Sequence, residues 1–334
     1  MAHKNYFEFK AENNFDLGKL MGENFSNEAK RVLEIEKGNP EESKLKIERA
    51  KKYLDFNQKY FPQYVEELRG YAESAGLEFL DLYTLSLEDE VAEDYPNLEA
   101  RPLSEKCTTF ITNDGKTFAH NEDWDKGSEE KISIVRKTVG NLSILELYYA
   151  NTLGGNSVSI NSNGFTVGIN SLVSTDTKMG LSKNVICRWL SETKDPDADI
   201  EKLKTLPRSV GYNVNIANGS GKIWNAEYTS SALVISNPES PFAHTNHYLT
   251  ELSKYEANTN KNGTFDRYDS AMKLIRGEMT EEEIIALEND TSYGEIKSIF
   301  NERTIAKIIV DLENKNAKIW LLRETEMGWV EYRF

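Results

Sequence analysis

The sequence predicts an α+β protein in which two antiparallel sheets are covered by helices. Three observations lead there: a helical first third, a long run of short β-rich segments broken at Asx-Gly turns, and helices grouped between the strands. Helices alternating with strands one for one would instead indicate a parallel, doubly wound sheet.

From Phe15 to about Asp89, apolar residues recur every three or four positions among many Glu and Lys, the pattern of helices with a solvated face. The stretch EESKLKIERAKKYLDFNQKYFPQYVEELRGYAESAGL reads as two helices, broken near Pro62 because proline lacks a backbone donor, and ended at Gly76 by a glycine cap. A further helix, EFLDLYTLSLEDEVAE, leads into the Pro-containing polar connector DYPNLEARPLSEK.

After Lys106 the texture changes to strands. CTTFIT and KTFAHNED flank Asn113-Asp114-Gly115, and Asp-Gly between β-rich runs signals a tight hairpin. KISIVRKTV, SILELYYAN, SVSIN and GFTVGINSL follow as strands, the last two joined at Asn163-Gly164. Helices are expected over Lys183 to Glu192 and Asp197 to Thr205, then the strands YNVNIANG, KIWNAEYT and ALVISN. Two more helices, Asp266 to Arg276 and Thr280 to Glu288, precede the closing strands TIAKIIVDL, AKIWLLR and WVEYRF.

Forty basic against 55 acidic residues give a net charge of −15, which repels phosphate backbones and anionic lipid, so neither nucleic acid nor a membrane is an expected partner. The N-terminus lacks the apolar run of a signal peptide and no segment is long and apolar enough to span a bilayer, which places the chain in the cytoplasm. A homo-oligomer is compatible with this composition. No GxxxxGK[ST], GxGxxG or HExxH motif occurs, so no cofactor is expected. No metal is expected either: two cysteines cannot build a thiolate zinc site, and His244 and His247 in FAHTNHYL have no acidic or cysteine ligand beside them.

Cys187, in KNVICRWL among apolar neighbours, reads as a core residue. Cys107 stands differently, at the mouth of a strand behind a polar connector. A cysteine nucleophile needs a base, and if the peptide bond before it is cut its own α-amine serves, with an ordinary pKa of about 7.7–8.0. That explains why no histidine and aspartate fall at triad positions.

Around this cysteine, CTTFITNDGKTFAHNEDW resembles the nucleophile hairpin of the N-terminal-nucleophile (Ntn) amide hydrolases. It resembles in particular the acyl-coenzyme A:6-aminopenicillanic acid acyltransferase family, and more distantly the bile salt hydrolases and penicillin V acylases. NNFDLGKLMGENF, LRGYAESAGLEFLDLYTLSLEDE, GFTVGINSL, FAHTNHYL and GTFDRYDSAMKLI are similar to further family elements in the same order. The resemblance implies a four-layer αββα sandwich and self-cleavage between Lys106 and Cys107. Residues 1–106 then form a helical N-terminal segment, small chain or propeptide, and residues 107–334 the catalytic core.

By position, the resemblance assigns Asp123 to orienting amine and thiol, with Asp125 as the alternative. It assigns Asn246 to donating to the tetrahedral oxyanion, with Asn170 in a similar role, and Arg267 to favouring thiolate. The implied substrate is a small-molecule linear amide, or an acyl thioester for acyl transfer, with hydrolysis the simpler outcome because water is always available. Lys106 stands where many relatives have glycine, and His120 where bile salt hydrolases carry arginine. These departures motivate a second reading, an uncleaved, non-catalytic chain that binds a small molecule in the same cleft. The loops after Asn151 and around Ser236 to Pro241 are expected to shape the pocket.

Overall fold

In a computed structural model of the chain, the described residues are 2–36, 38–87, 90, 106–125, 127–150, 153–257 and 263–334. The connector up to residue 105 and Asn151 lie outside them, as does the side chain of Lys106. The first segment contains β1 (Tyr6–Ala11), α1 (Asn14–Glu36), α2 (Pro40–Tyr60), α3 (Pro62–Ala75) and α4 (Phe79–Leu85). Then come β2 (Lys106–Thr112), β3 (Thr117–Asp123), β4 (Ile132–Val139), β5 (Leu142–Tyr149), β6 (Val158–Asn161) and β7 (Thr166–Ser171). Helices α5 (Lys183–Leu190) and α6 (Pro196–Thr205) precede β8 (Tyr212–Ala217), β9 (Ile223–Tyr228), β10 (Leu233–Ser236) and β11 (Phe242–His244). The chain ends with α7 (Thr264–Leu274), α8 (Glu281–Glu288), β12 (Thr304–Asp311), β13 (Asn316–Leu321) and β14 (Val330–Arg333).

The strands form an eight-stranded sheet, β1-β4-β5-β6-β7-β8-β9-β10, and a six-stranded sheet, β11-β2-β3-β12-β13-β14. Their inner faces meet in one apolar layer that includes Ile111, Phe118, Ile134, Leu145, Val158, Ile308 and Ile319. The outer face of the larger sheet packs against α1 to α6 through residues such as Leu17, Leu68, Leu82, Val167, Ile186 and Leu203. The outer face of the smaller sheet packs under α7 and α8 through Phe110, Ala119, Ala271, Ile284 and Leu287. The result is helix, sheet, sheet, helix, the expected αββα order. Among the described residues no helix is long and apolar enough to cross a membrane.

The N-terminal segment departs from the all-helical expectation. YFEFKA forms β1, which lies parallel to β4, from Tyr6 beside Ile134 to Ala11 beside Val139. This is the one parallel pair within the named strands, and all the other ladders are antiparallel. Aromatic and charged residues alternate at Phe7, Glu8, Phe9 and Lys10, a strand signature that the helical pattern beginning a few residues later obscures. Helices α1 and α3 cross closely: a Cβ at Gly18 would collide with the Glu67 carbonyl oxygen, and one at Gly70 with that of Phe15. Beneath them, buried Arg188 of α5 donates to Glu67 at 3.0 Å and to Glu192 at 2.6 Å, tying the first segment to the rest.

Candidate active site

The hairpin β2–β3 builds the site. Asp114 and Gly115 both have positive φ, 53° and 74°, and Lys116 N donates to Asn113 O at 3.1 Å, so the turn has the twist that two-residue hairpins need. That turn sets a register in which Cys107 faces Glu122, Thr109 faces His120 and Ile111 faces Phe118. Opposed residues share a face, and Ile111 and Phe118 lie in the inter-sheet layer. Cys107, Thr109, His120 and Glu122 therefore point between the sheets, while Thr108, Asn121 and Asp123 point toward α7 and α8.

Cys107 is only 4% exposed, and its Sγ lies 3.6 Å from Glu122 Oε2. That carboxylate also receives the hydroxyls of Tyr149 (2.6 Å, to Oε1) and Ser157 (to Oε2) from the opposite sheet. His120 Nε2 lies 3.0 Å from Oε2, and its Nδ1 lies 2.9 Å from Thr109 Oγ1. Thr109 in turn donates to Asn170 Oδ1 at 3.0 Å. Cys107, His120 and Glu122 have the elements of a metal-binding set, with ligand atoms within 4.8 Å of one another. Their polar atoms are spent on each other, on Thr109 and on the two hydroxyls, so the arrangement is a buried hydrogen-bonded chain.

The backbone of Cys107 is held from the other side. Its amide N donates to Asn246 Oδ1 at 2.8 Å, and buried Arg267 of α7 donates to Cys107 O, Thr108 Oγ1 and Asn246 Oδ1, each at 2.8 Å. Burial lowers the pKa of Arg267, opposed by the charges of Asp123 and Cys107. Asp123 accepts from Asn301 and Thr304, both at 2.7 Å. Burial nonetheless pushes its carboxyl up to about 6, against the pull of Arg267 and those donors.

Asn246 rides on the loop after β11, and that loop is pinned to the larger sheet. Glu227 of β9 accepts from His244 Nε2 at 2.8 Å, Leu249 N at 2.7 Å and Thr250 N at 3.1 Å. Burial opposes ionisation of Glu227, but these donors outweigh it and hold the carboxyl below its usual range. The Nδ1 of His244 lies 2.6 Å from Thr245 O, so both its ring nitrogens serve the loop. Asn246 Nδ2 donates to Ser171 O at 3.2 Å. Asn170 of β7 sits among buried amides, accepting from Asn215 at 3.0 Å, and its own Nδ2 is buried with no partner among the described residues.

Of the residues singled out from the sequence, Cys107, Asn246 and Arg267 are in direct contact, and Asn170 is linked to Cys107 through Thr109, His120 and Glu122. Asn246 presents its oxygen, not its amide nitrogen, to Cys107. Asp123 faces the helix layer, whereas Asp125 is exposed and pairs with Arg303 at 2.9 Å. Cys187 is fully buried in α5, as expected. The carboxylate at the thiol is that of Glu122, one position short of Asp123. Counting back from a two-residue Asp114-Gly115 turn pairs position 107 with 122, so the signal was present in the hairpin motif.

The chain thus presents, inside a two-sheet αββα sandwich, a buried cysteine whose thiol meets a carboxylate and whose backbone is clamped by an asparagine and an arginine. It belongs to the acyl-coenzyme A:6-aminopenicillanic acid acyl-transferase family, whose model matches residues 111–325. A curated relative, the β-alanyl-dopamine/carcinine hydrolase of Drosophila melanogaster, is 27% identical over 194 residues, 47% of this chain. The matched region spans 49% of that relative's length. Among solved structures, a variant of the conjugated bile acid hydrolase of Clostridium perfringens aligns over 68% of this chain and 92% of its own at 11% identity and TM-score 0.45. Penicillin V acylase of Agrobacterium tumefaciens aligns over 65% of this chain and 83% of its own at 12% identity and TM-score 0.39.

Proposed function

We propose that this protein is a self-cleaving, N-terminal-cysteine amidohydrolase that opens a linear amide through an acyl-enzyme on Cys107. The observation that carries the reading is the double hold on Cys107. Its nitrogen is bonded to Asn246 Oδ1 and its sulfur to Glu122 in a chain of the acyl-transferase family. In the uncut chain that nitrogen is a peptide amide. After cleavage from Lys106 it is an α-amine, aimed by Asn246 and able to take the thiol proton.

The mature reaction then runs in two halves. The sulfur attacks the substrate carbonyl carbon, the amide C–N bond breaks, the leaving amine takes the proton from the α-amine, and a thioester remains on Cys107. Water adds to the thioester and releases the acid and the thiol. The buried, unpartnered Nδ2 of Asn170 is the donor suited to the oxyanion of both tetrahedral intermediates. A non-water acceptor in the second half would make the product an acyl-transfer product. The name of the fly relative puts a β-alanyl amine in the candidate substrate set.

Intact-mass measurement of purified protein tests this reading, together with turnover of a panel of acyl-amides. Two chains, the larger beginning at Cys107, are expected, with turnover abolished in Cys107→Ala. A fully active Cys107→Ala protein overturns the mechanism. A single uncut chain without turnover returns the non-catalytic reading.

A further inference from the structure

The α-amine can be the base for substrate only after it exists. Before the cut, the nitrogen of Cys107 is acylated by Lys106 and is no base, yet the thiol must lose its proton to attack the Lys106 carbonyl carbon. A different group has to accept that proton. We propose, resting on the reading above, that Glu122 is the proton acceptor of the chain-cutting step, with His120 as its positioning partner.

The Glu122 carboxylate lies 3.6 Å from the sulfur, a usual separation for a thiol donor given the size of sulfur. The hydrogen count along the chain shows why His120 matters. Thr109 spends its one hydroxyl hydrogen on Asn170 Oδ1, so it accepts from His120 Nδ1, which carries a hydrogen. The 3.0 Å contact between His120 Nε2 and Glu122 Oε2 then shares one further hydrogen between ring and carboxyl, which holds the carboxyl in place beside the thiol. When the thiol proton moves to Glu122, negative charge passes from carboxylate to sulfur while the His120 ring stays bonded to the carboxyl group. The buried cluster keeps its net charge, so the transfer uncovers no new isolated ion.

The step balances as follows. The thiol proton goes to Glu122, and the sulfur bonds to the Lys106 carbonyl carbon. The Lys106–Cys107 C–N bond breaks, and Glu122 returns the proton to the departing nitrogen. The product is a Lys106 thioester with a free Cys107 amine. Water then hydrolyses the thioester, leaving a carboxylate on Lys106 and the thiol on Cys107. From that point the amine is the base for substrate turnover, where the part of Glu122 is to hold the thiol.

The test is pulse-labelled cell-free synthesis of the full chain, followed by intact mass and N-terminal sequencing against time. Glu122→Gln, which keeps the shape and loses the basicity, is expected to slow cleavage by roughly 100-fold or more, and Glu122→Asp by less. Once the matured fraction has accumulated, its turnover per titrated thiol is expected to fall by a smaller factor than cleavage did. Cleavage of Glu122→Gln at the wild-type rate overturns the proposal, as does an equal loss in both steps. If the Gln variant does not fold, Glu122→Asp carries the test, and its cleavage at the wild-type rate overturns it. A wild-type chain that is never cut removes the functional reading itself. A cut wild type with an equally fast Gln variant leaves that reading standing and removes only Glu122.

Discussion

Cys107 and Glu122 stand directly opposite each other on the inner face of the β2–β3 hairpin, sulfur 3.6 Å from carboxylate oxygen. Asp123, the next residue along β3, faces the other way. Two adjacent carboxylates on one strand thus enter different layers, Glu122 at the thiol and Asp123 on the helix side, held by Asn301 and Thr304.

Asn170 offers a buried amide group with nothing among the described residues to receive its hydrogens. Replacing it with alanine is expected to lower kcat by about 10²–10³-fold while moving KM much less, because an oxyanion donor acts only in the transition state. Steady-state kinetics on the matured enzyme check this. A change confined to KM would assign Asn170 to ground-state binding instead.

Burial lowers the pKa of Arg267, and the charge of Cys107 is among the causes that oppose it, so the two groups are electrostatically linked. In Arg267→Met the pH profile of Cys107 alkylation is expected to move to higher pH, with a several-fold slower rate at neutral pH. Iodoacetamide labelling read by mass gives the profile. An unmoved midpoint would leave Arg267 with only its backbone contacts.

Asp123 makes a pH signature of its own. Its folded-state carboxyl titrates near 6 against an ordinary 3.8, so between those values the folded state holds a proton that the unfolded state has lost. Stability from this group is therefore fully present below about pH 4 and falls as pH rises toward 6. Asp123→Asn is expected to remove that part of the decline, up to about 1.4 kcal/mol per pH unit within the window. Urea unfolding at pH 4, 5, 6 and 7 for both proteins gives the difference in slope.

Glu227 has the opposite sign. Its carboxyl is held below the usual range despite burial, so its stabilisation is present above the unfolded value of 4.5 and is lost as pH falls through the depressed one. Glu227→Gln is expected to destabilise by about 2 kcal/mol or more at neutral pH, since Gln can accept fewer of the donors from His244, Leu249 and Thr250. Thermal unfolding across pH 3–7 should show the two proteins converging at the acid end.

Most of the layering was legible in the sequence because it follows from local rules. Pro62 and Gly76 break and cap the helices where periodicity indicated, and Asp114-Gly115 sets the hairpin that carries Cys107. What escaped depends on contacts distant in sequence. Tyr6–Ala11 becomes a strand because β4 offers it a parallel edge, information that lies 120 and more residues away. Glu122 is distinguishable from Asp123 only through strand register, and it becomes part of the site only because Tyr149 and Ser157 of the other sheet close over it. Glu227, which secures the Asn246 loop, sits in an ordinary strand pattern, KIWNAEYT, and nothing local marks it.

The placement of β1 has a consequence for the life of the molecule. A cut between Lys106 and Cys107 severs the polypeptide but not the sheet. The small chain keeps one strand laced along β4, and its helices stay under the larger sheet's outer face. Folding is a unimolecular event before the cut. Afterwards any complete unfolding separates two partners that must find each other again, so recovery becomes second order and melting becomes concentration-dependent. The matured protein would be assembled once, as a single chain, and could be lost in a way that its precursor cannot.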